Sequence, residues 1–127
     1  MNISERKPIW IALSEFYLDT ELEQKDFKRI ALKMIESPFS LEEIKNINKY
    51  EVFPVLQANL SNIAGEWAGF DEKWLEESIV KSIEKRNYFR KLSIEFSYFI
   101  NSWMCKKHWI NTEKEYKKIK TTAVLRN

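Results

Sequence analysis

Only two glycines and three prolines punctuate 127 residues, against an average usage of roughly 7% and 5%. Sandwiches and barrels need a tight turn every few residues, and those turns need glycine, proline, asparagine or aspartate. A chain so poor in breakers is directed toward long helices. Hydrophobic residues at 44% and charged residues at 31% exclude a wholly disordered chain. The expected fold is therefore all-α, a single domain over residues 1–127 built as an irregular bundle of about five to seven helices.

Periodicity places those helices. Pro8 suits a first helical turn, and Ile9, Trp10, Leu13, Phe16 and Tyr17 follow at three- and four-residue spacings, predicting a helix that ends near Leu18. After the polar break Asp19-Thr20-Glu21, the residues Phe27, Ile30, Ala31, Met34 and Ile35 mark the face of a second helix, which Ser37-Pro38 stops. Ser40 and Glu43 form a capping box for a short helix from Leu41 to about Tyr50. Pro54 predicts a kink or a fresh start near Val52, and Phe53, Leu56, Leu60, Ile63 and Ala64 continue the helical period beyond it. Gly65 suits a left-handed helix end, and Asp71 suits an N-cap for a helix carrying Trp74, Leu75, Ile79 and Ile83. Asn87 interrupts that helix. A strongly aromatic one then carries Phe89, Leu92, Phe96, Phe99, Ile100 and Trp103, so regularly spaced that it reads as core. Thr112 and Glu113-Lys114-Glu115 predict a last helix start, with residues 111–127 either a basic tail helix or mobile.

Several chemistries are missing from the sequence. No apolar run approaches the ~20 residues of a membrane helix, and the N-terminus lacks the apolar stretch of a secretory signal. A single cysteine, Cys105, provides no internal disulfide and suits a reducing cytoplasm. Cys105 and His108 stand one helical turn apart, but a structural zinc site wants four ligands, and no second Cys or His exists. No phosphate-cradling glycine loop, metalloprotease helix motif or nucleophile elbow occurs, so no cofactor, metal or catalytic residue is expected. Carboxylates remain, and Glu66 with Asp19 or Asp71 would make a hydrolytic pair if their loops met.

Charge is segregated along the chain. Residues 1–84 carry 10 Lys+Arg and 16 Asp+Glu, for −6; residues 85–127 carry 11 and 3, for +8. The basic part interleaves Lys106, Lys107, Lys114, Lys117, Lys118, Lys120 and Arg126 with Trp109 and Tyr116, the residue types that would bind nucleic acid. The acidic part would instead face a basic protein, through Glu42, Glu43, Glu76 and Glu77. The loop Gly65-Glu66-Trp67-Ala68-Gly69-Phe70-Asp71 adds Glu66, Trp67 and Phe70 as partner-binding residues.

Taken together, Trp10-Ile11-Ala12-Leu13-Ser14, Leu18-Asp19-Thr20-Glu21-Leu22, Ser37-Pro38-Phe39-Ser40-Leu41, Glu51-Val52-Phe53-Pro54-Val55-Leu56, Asn59-Leu60 and Ala64 through Asp71 resemble a family of small bacterial proteins classed as a domain of unknown function. The resemblance covers about residues 6–87 and leaves the aromatic, basic C-terminal part outside it. It implies no activity, cofactor or site residue. By analogy from size, compartment and lack of chemistry, the expected function is non-enzymatic: a cytoplasmic immunity protein that binds and neutralises a cognate basic toxin. A nucleic-acid-associated regulator and a carboxylate-based hydrolase are the alternatives.

Overall fold

A computed structural model describes residues 2–18, 21–59 and 71–126. The expected all-α architecture is found. Helix α1 (Ile3–Ser14) closes with a 3-10 turn (Glu15–Tyr17) and is followed by α2 (Gln24–Glu36), α3 (Leu41–Ile47), a π-helical turn (Asn48–Val52) and α4 (Phe53–Asn59). Helices α5 (Glu72–Glu84), α6 (Tyr88–Asn101) and α7 (Trp103–Arg126) complete the bundle. Gly65, Glu66, Trp67, Gly69, Phe70, Asp19 and Thr20 lie outside the described residues, as do Leu60, Ile63 and Ala64.

Local chemistry sets most boundaries. Ser40 Oγ accepts from Glu43 N at 3.1 Å and Glu43 Oε1 accepts from Ser40 N at 3.0 Å, the reciprocal box expected. Those bonds also hold the Glu43 carboxyl below its usual range. Asp71 Oδ1 accepts from Trp74 N at 2.7 Å, and Asn87 Oδ1 accepts from Arg90 N at 2.9 Å. Ser37 before Pro38 is extended, at φ −77° and ψ 160°, and ends α2. Helix α1 departs from expectation by starting at Ile3 rather than near Pro8. The cause is Asn2, whose Oδ1 accepts from Glu5 N at 3.2 Å and so creates an earlier start.

The fresh helix start expected near Val52 is found: a π-helical turn ends at Val52 and α4 begins at Phe53, with Pro54 in its first turn. Proline has no N–H, and its ring collides with the carbonyl four residues earlier. The chain widens through one π turn, with Phe53 N donating to Asn48 O, and α4 follows directly. The carbonyl left over is that of Tyr50, and the Arg86 guanidinium donates to it through Nη2. Replacing Arg86 with methionine keeps the stem but strands that carbonyl. We expect a loss of ~1–3 kcal/mol, read as a lower urea midpoint with an unchanged m-value; an unchanged midpoint would show that water serves Tyr50 O equally well.

Helix α1 forms the centre of the core. Ile9, Trp10 and Leu13 are sealed from solvent together with Ile30, Met34, Ile44, Leu56, Leu75 and Ile79. Within this apolar mass the π turn supplies Glu51, which accepts from Trp10 Nε1 at 2.8 Å and from Arg6 Nη1 at 2.5 Å. Asn48 of the same turn is fully buried and accepts from the Tyr17 hydroxyl at 2.8 Å.

The C-terminal part corrects one expectation and, of the two alternatives for residues 111–127, takes the helical one. Helix α7 runs unbroken from Trp103 to Arg126, so Thr112 opens no new helix. Its side chain is 0% exposed, in the helix interior, where a capping role has no donors to serve. Nor is this segment a loose tail through Tyr116. Helix α7 packs along α2, Trp109 and Tyr116 enter the core, and Gln24 donates to Glu115 at 3.0 Å.

Candidate functional site

The largest departure from expectation is α6. Its aromatic stripe is not core. Of α6 only Ile94 is fully buried, whereas Phe89, Phe96, Phe99 and Trp103 (the first residue of α7) are 78%, 67%, 82% and 71% exposed. Leu92 and Ile100 on the same side are about half exposed.

The reason lies on the opposite face of the helix. Ile94 enters the bundle, Tyr98 meets Phe53 edge-to-face at 5.0 Å, and the Glu95 carboxylate accepts from the Tyr50 hydroxyl at 2.8 Å. That bond is the main reason the Tyr50 phenol is held above its ordinary pKa. Lys91 and Lys49 sit over the Tyr50 ring at 5.7 and 5.2 Å. The π turn therefore grips α6 along one side, and Phe89, Leu92, Phe96 and Phe99 are left on the other. Contiguous exposed apolar patches are characteristic of interaction sites. The sequence held a signal for it: α6 is apolar on two faces, and a helix at the margin of a bundle buries one.

The carboxylates proposed for partner binding are spread over two helices. Glu42 and Glu43 are exposed at the start of α3, and Glu43 is engaged with the Ser40 cap. On α5, Glu77 is exposed while Glu76 stands 3.8 Å from Lys7. Glu66, Trp67 and Phe70 lie outside the described residues, as does Asp19, so of the proposed hydrolytic pair only Asp71 is placed, and it caps α5. On α7, Lys114, Lys117, Lys118 and Lys120 are exposed, but the interleaved Trp109 and Tyr116 face the core and offer no stacking platform to bases.

Cys105 and Tyr17 are taken up by packing. Burial raises the Cys105 thiol to about 11, and its Sγ lies 4.0 Å from Phe16 O. Burial also raises the Tyr17 phenol, with the nearby Cys105 adding to the effect. Among the described residues no group of three or more His, Cys, Asp or Glu could hold a metal ion. No helix among them is long and apolar enough to cross a membrane.

His108 stacks on Phe16 at 5.6 Å and tilts against Phe27 at 5.8 Å. Burial, and secondarily Lys107, holds its pKa below the ordinary 6.5. The unfolded chain thus takes up the proton first. Stability from this group is complete above the ordinary value and is lost as pH falls through it toward the lower folded value. Urea midpoints measured from about pH 7 to about pH 5 should fall less in His108→Gln than in the parent; parallel slopes would remove His108 as a source of acid sensitivity.

Fold and surface together define a helical bundle that displays an apolar ridge on one marginal helix. The chain belongs to the family described as Domain of unknown function (DUF7079), whose profile matches residues 4–115. That span reaches past the expected limit near residue 87 and takes in all of α6 and the first half of α7. No curated protein and no solved structure matches the chain.

Proposed function

We propose that this protein acts by protein–protein contact and not by turnover. The observation that carries the reading is the α6 ridge. Phe89, Phe96 and Phe99 of α6 are each about two-thirds or more in water, and large aromatics are the residue type that anchors protein interfaces. In its most specific form the protein is a cytoplasmic immunity protein that blocks a cognate toxin. The exposed carboxylates Glu42 and Glu77 would then steer a basic toxin toward the bundle.

A tagged chain recovered from its native cytoplasm should retain one stoichiometric protein through a high-salt wash and lose it when Phe99 is replaced by glutamate. Glu42→Lys combined with Glu77→Lys leaves the Ser40 cap and the Lys7 pair intact, and should weaken capture at low salt only. Recovery of nucleic acid that elutes with salt would support the alternative built on the α7 lysines. Identical recoveries from the parent and Phe99→Glu would overturn the ridge as the binding surface.

A further inference from the structure

We propose that the groove between α2 and α7 is a second docking surface, built for an acidic amphipathic helix of a partner protein. It lies apart from the α6 ridge and does not depend on the reading given to that ridge.

Two rows of side chains make the groove. On α2, Gln24, Lys28 and Leu32 recur every four residues; on α7, Asn111, Lys114, Lys118 and Thr122 recur at three and four. Such spacing stacks side chains one above another along a helix face. Gln24 Nε2 donates to Glu115 Oε1 at 3.0 Å and bridges the two helices. To either side of that bond the surface is hollow. One concavity of about 340 Å³ extends to Asn111 and Lys114. A second of about 480 Å³ extends to Leu32, Ile119 and Ala123, and Gln24, Glu115 and Lys118 border both. At 1.5 Å per residue the α7 wall from Asn111 to Ala123 is ~18 Å long, which is about three turns of a facing helix.

The groove is separate from the ridge. Lys106, Trp109 and Glu113 stand on the opposite flank of α7, where they border Tyr98 of α6 and Lys45 of α3.

The walls are basic and the floor is apolar. Lys28, Lys114 and Lys118 are exposed, and against them the described lining carries a single carboxylate, Glu115. Glu115 is buried and already engaged with Gln24 and, at 3.8 Å, with Lys118. Lys28 and Lys114 pair with no carboxylate among the described residues. Between these cations lie Ile119, Ala123 and Leu32, the last 38% exposed.

An occupant must bring anions to the lysines and apolar side chains to the floor. A helix with carboxylates flanking an apolar stripe brings both, in the helix-in-groove mode of recognition. A nucleic-acid duplex is broader than the gap between two packed helices, whose axes stand about 8–10 Å apart. It would touch the crest lysines and leave the floor empty. A single strand needs stacking rings, and Trp109 and Tyr116 are spent on the core. The chain's own acidic helices do not match either. Helix α5 exposes Lys73 and Lys81 along with Glu77 and Glu84, and α3 has only seven residues. A basic protein would be repelled.

Panning a phage library of random peptides about 16 residues long on the purified full chain at low salt tests the proposal. The expected result is enrichment of peptides with apolar residues at three- and four-residue steps between Asp or Glu. A selected peptide, made synthetically, should lose affinity as salt is raised. Lys28→Glu combined with Lys114→Glu should raise its dissociation constant at least ~10-fold, with the helical circular-dichroism signal unchanged because both side chains are exposed. Leu32→Gln should weaken it as well, which separates a docked helix from attraction to charge alone. Phe99→Glu should leave it unchanged, whatever that variant does to capture of a partner at α6. Failure to enrich acidic peptides, or equal affinity for the doubly reversed variant, would overturn the proposal. Loss of the peptide in Phe99→Glu would move it to the ridge and overturn the groove. A short DNA duplex that binds more tightly than the peptide and ignores Leu32→Gln would assign this face to nucleic acid instead.

Discussion

Glu51→Ala is expected to lower the unfolding free energy by an amount near the lower end of ~3–5 kcal/mol, the range for removing one partner of a buried ion pair. Glu51 is 8% exposed, and its two oxygens serve different donors: Oε1 accepts from the Trp10 indole and Oε2 from the Arg6 guanidinium. Truncation leaves both donors without an acceptor. The indole nitrogen is deeply buried and bears the full cost of desolvation. Arg6 remains about one-quarter exposed and stays over the Phe39 ring at 5.3 Å, so water relieves part of its loss. Glu51→Gln isolates the two contributions, because the amide oxygen still accepts from Trp10 while the charge is gone. It should cost clearly less than Glu51→Ala. Equilibrium urea unfolding with matched m-values is the measurement, and equal losses in the two variants would mean that the ion pair, not the indole bond, carries the effect.

This network also shows how far the sequence could be read. Caps are visible because the interacting atoms are three residues apart: Ser40 with Glu43, Asp71 with Trp74 and Asn87 with Arg90. The position of the disturbance at Pro54 is visible for the same reason. Its form is not, since the carbonyl that Pro54 leaves over, Tyr50 O, is served by Arg86 from 36 residues away. Glu51, Trp10 and Arg6 are 41 and 45 residues apart, and nothing local distinguishes Glu51 from a solvated charge. The candidate site was half legible. Its spacing lies in the sequence, and the side that would face solvent does not. Two apolar faces of α6 competed for the core, and the outcome was decided by Tyr98 against Phe53 and Glu95 against Tyr50. Thr112 misled for a related reason. A capping pattern identifies a helix start only where the preceding turn is not already helical, and here α7 begins nine residues earlier.

Trp10→Ala is expected to cost ~3–5 kcal/mol, the range for deleting a large buried aromatic. Trp10 is 1% exposed and lies beside Ile9 and Leu13 in the helix around which the bundle is packed. Removal of the indole leaves a cavity bounded by residues already held in place by α2, the π turn and α5, all of which contact α1. Collapse into that cavity is therefore limited, which places the cost toward the upper part of the range. Trp10→Phe discriminates between volume and hydrogen bonding. It retains most of the apolar contact and deletes the donor to Glu51 Oε1, so a loss of ~1–3 kcal/mol is expected from the unsatisfied carboxylate oxygen. The double variant Trp10→Phe with Glu51→Gln tests whether the two residues act as one unit. An amide oxygen left without a donor costs less than a carboxylate in the same place, so the second substitution should be milder in the Trp10→Phe background than the sum of the singles predicts. A coupling of ~0.5–3 kcal/mol is the range for contacting partners. Strict additivity would instead assign the indole a packing role alone, and the π turn would then hold α1 through Arg6.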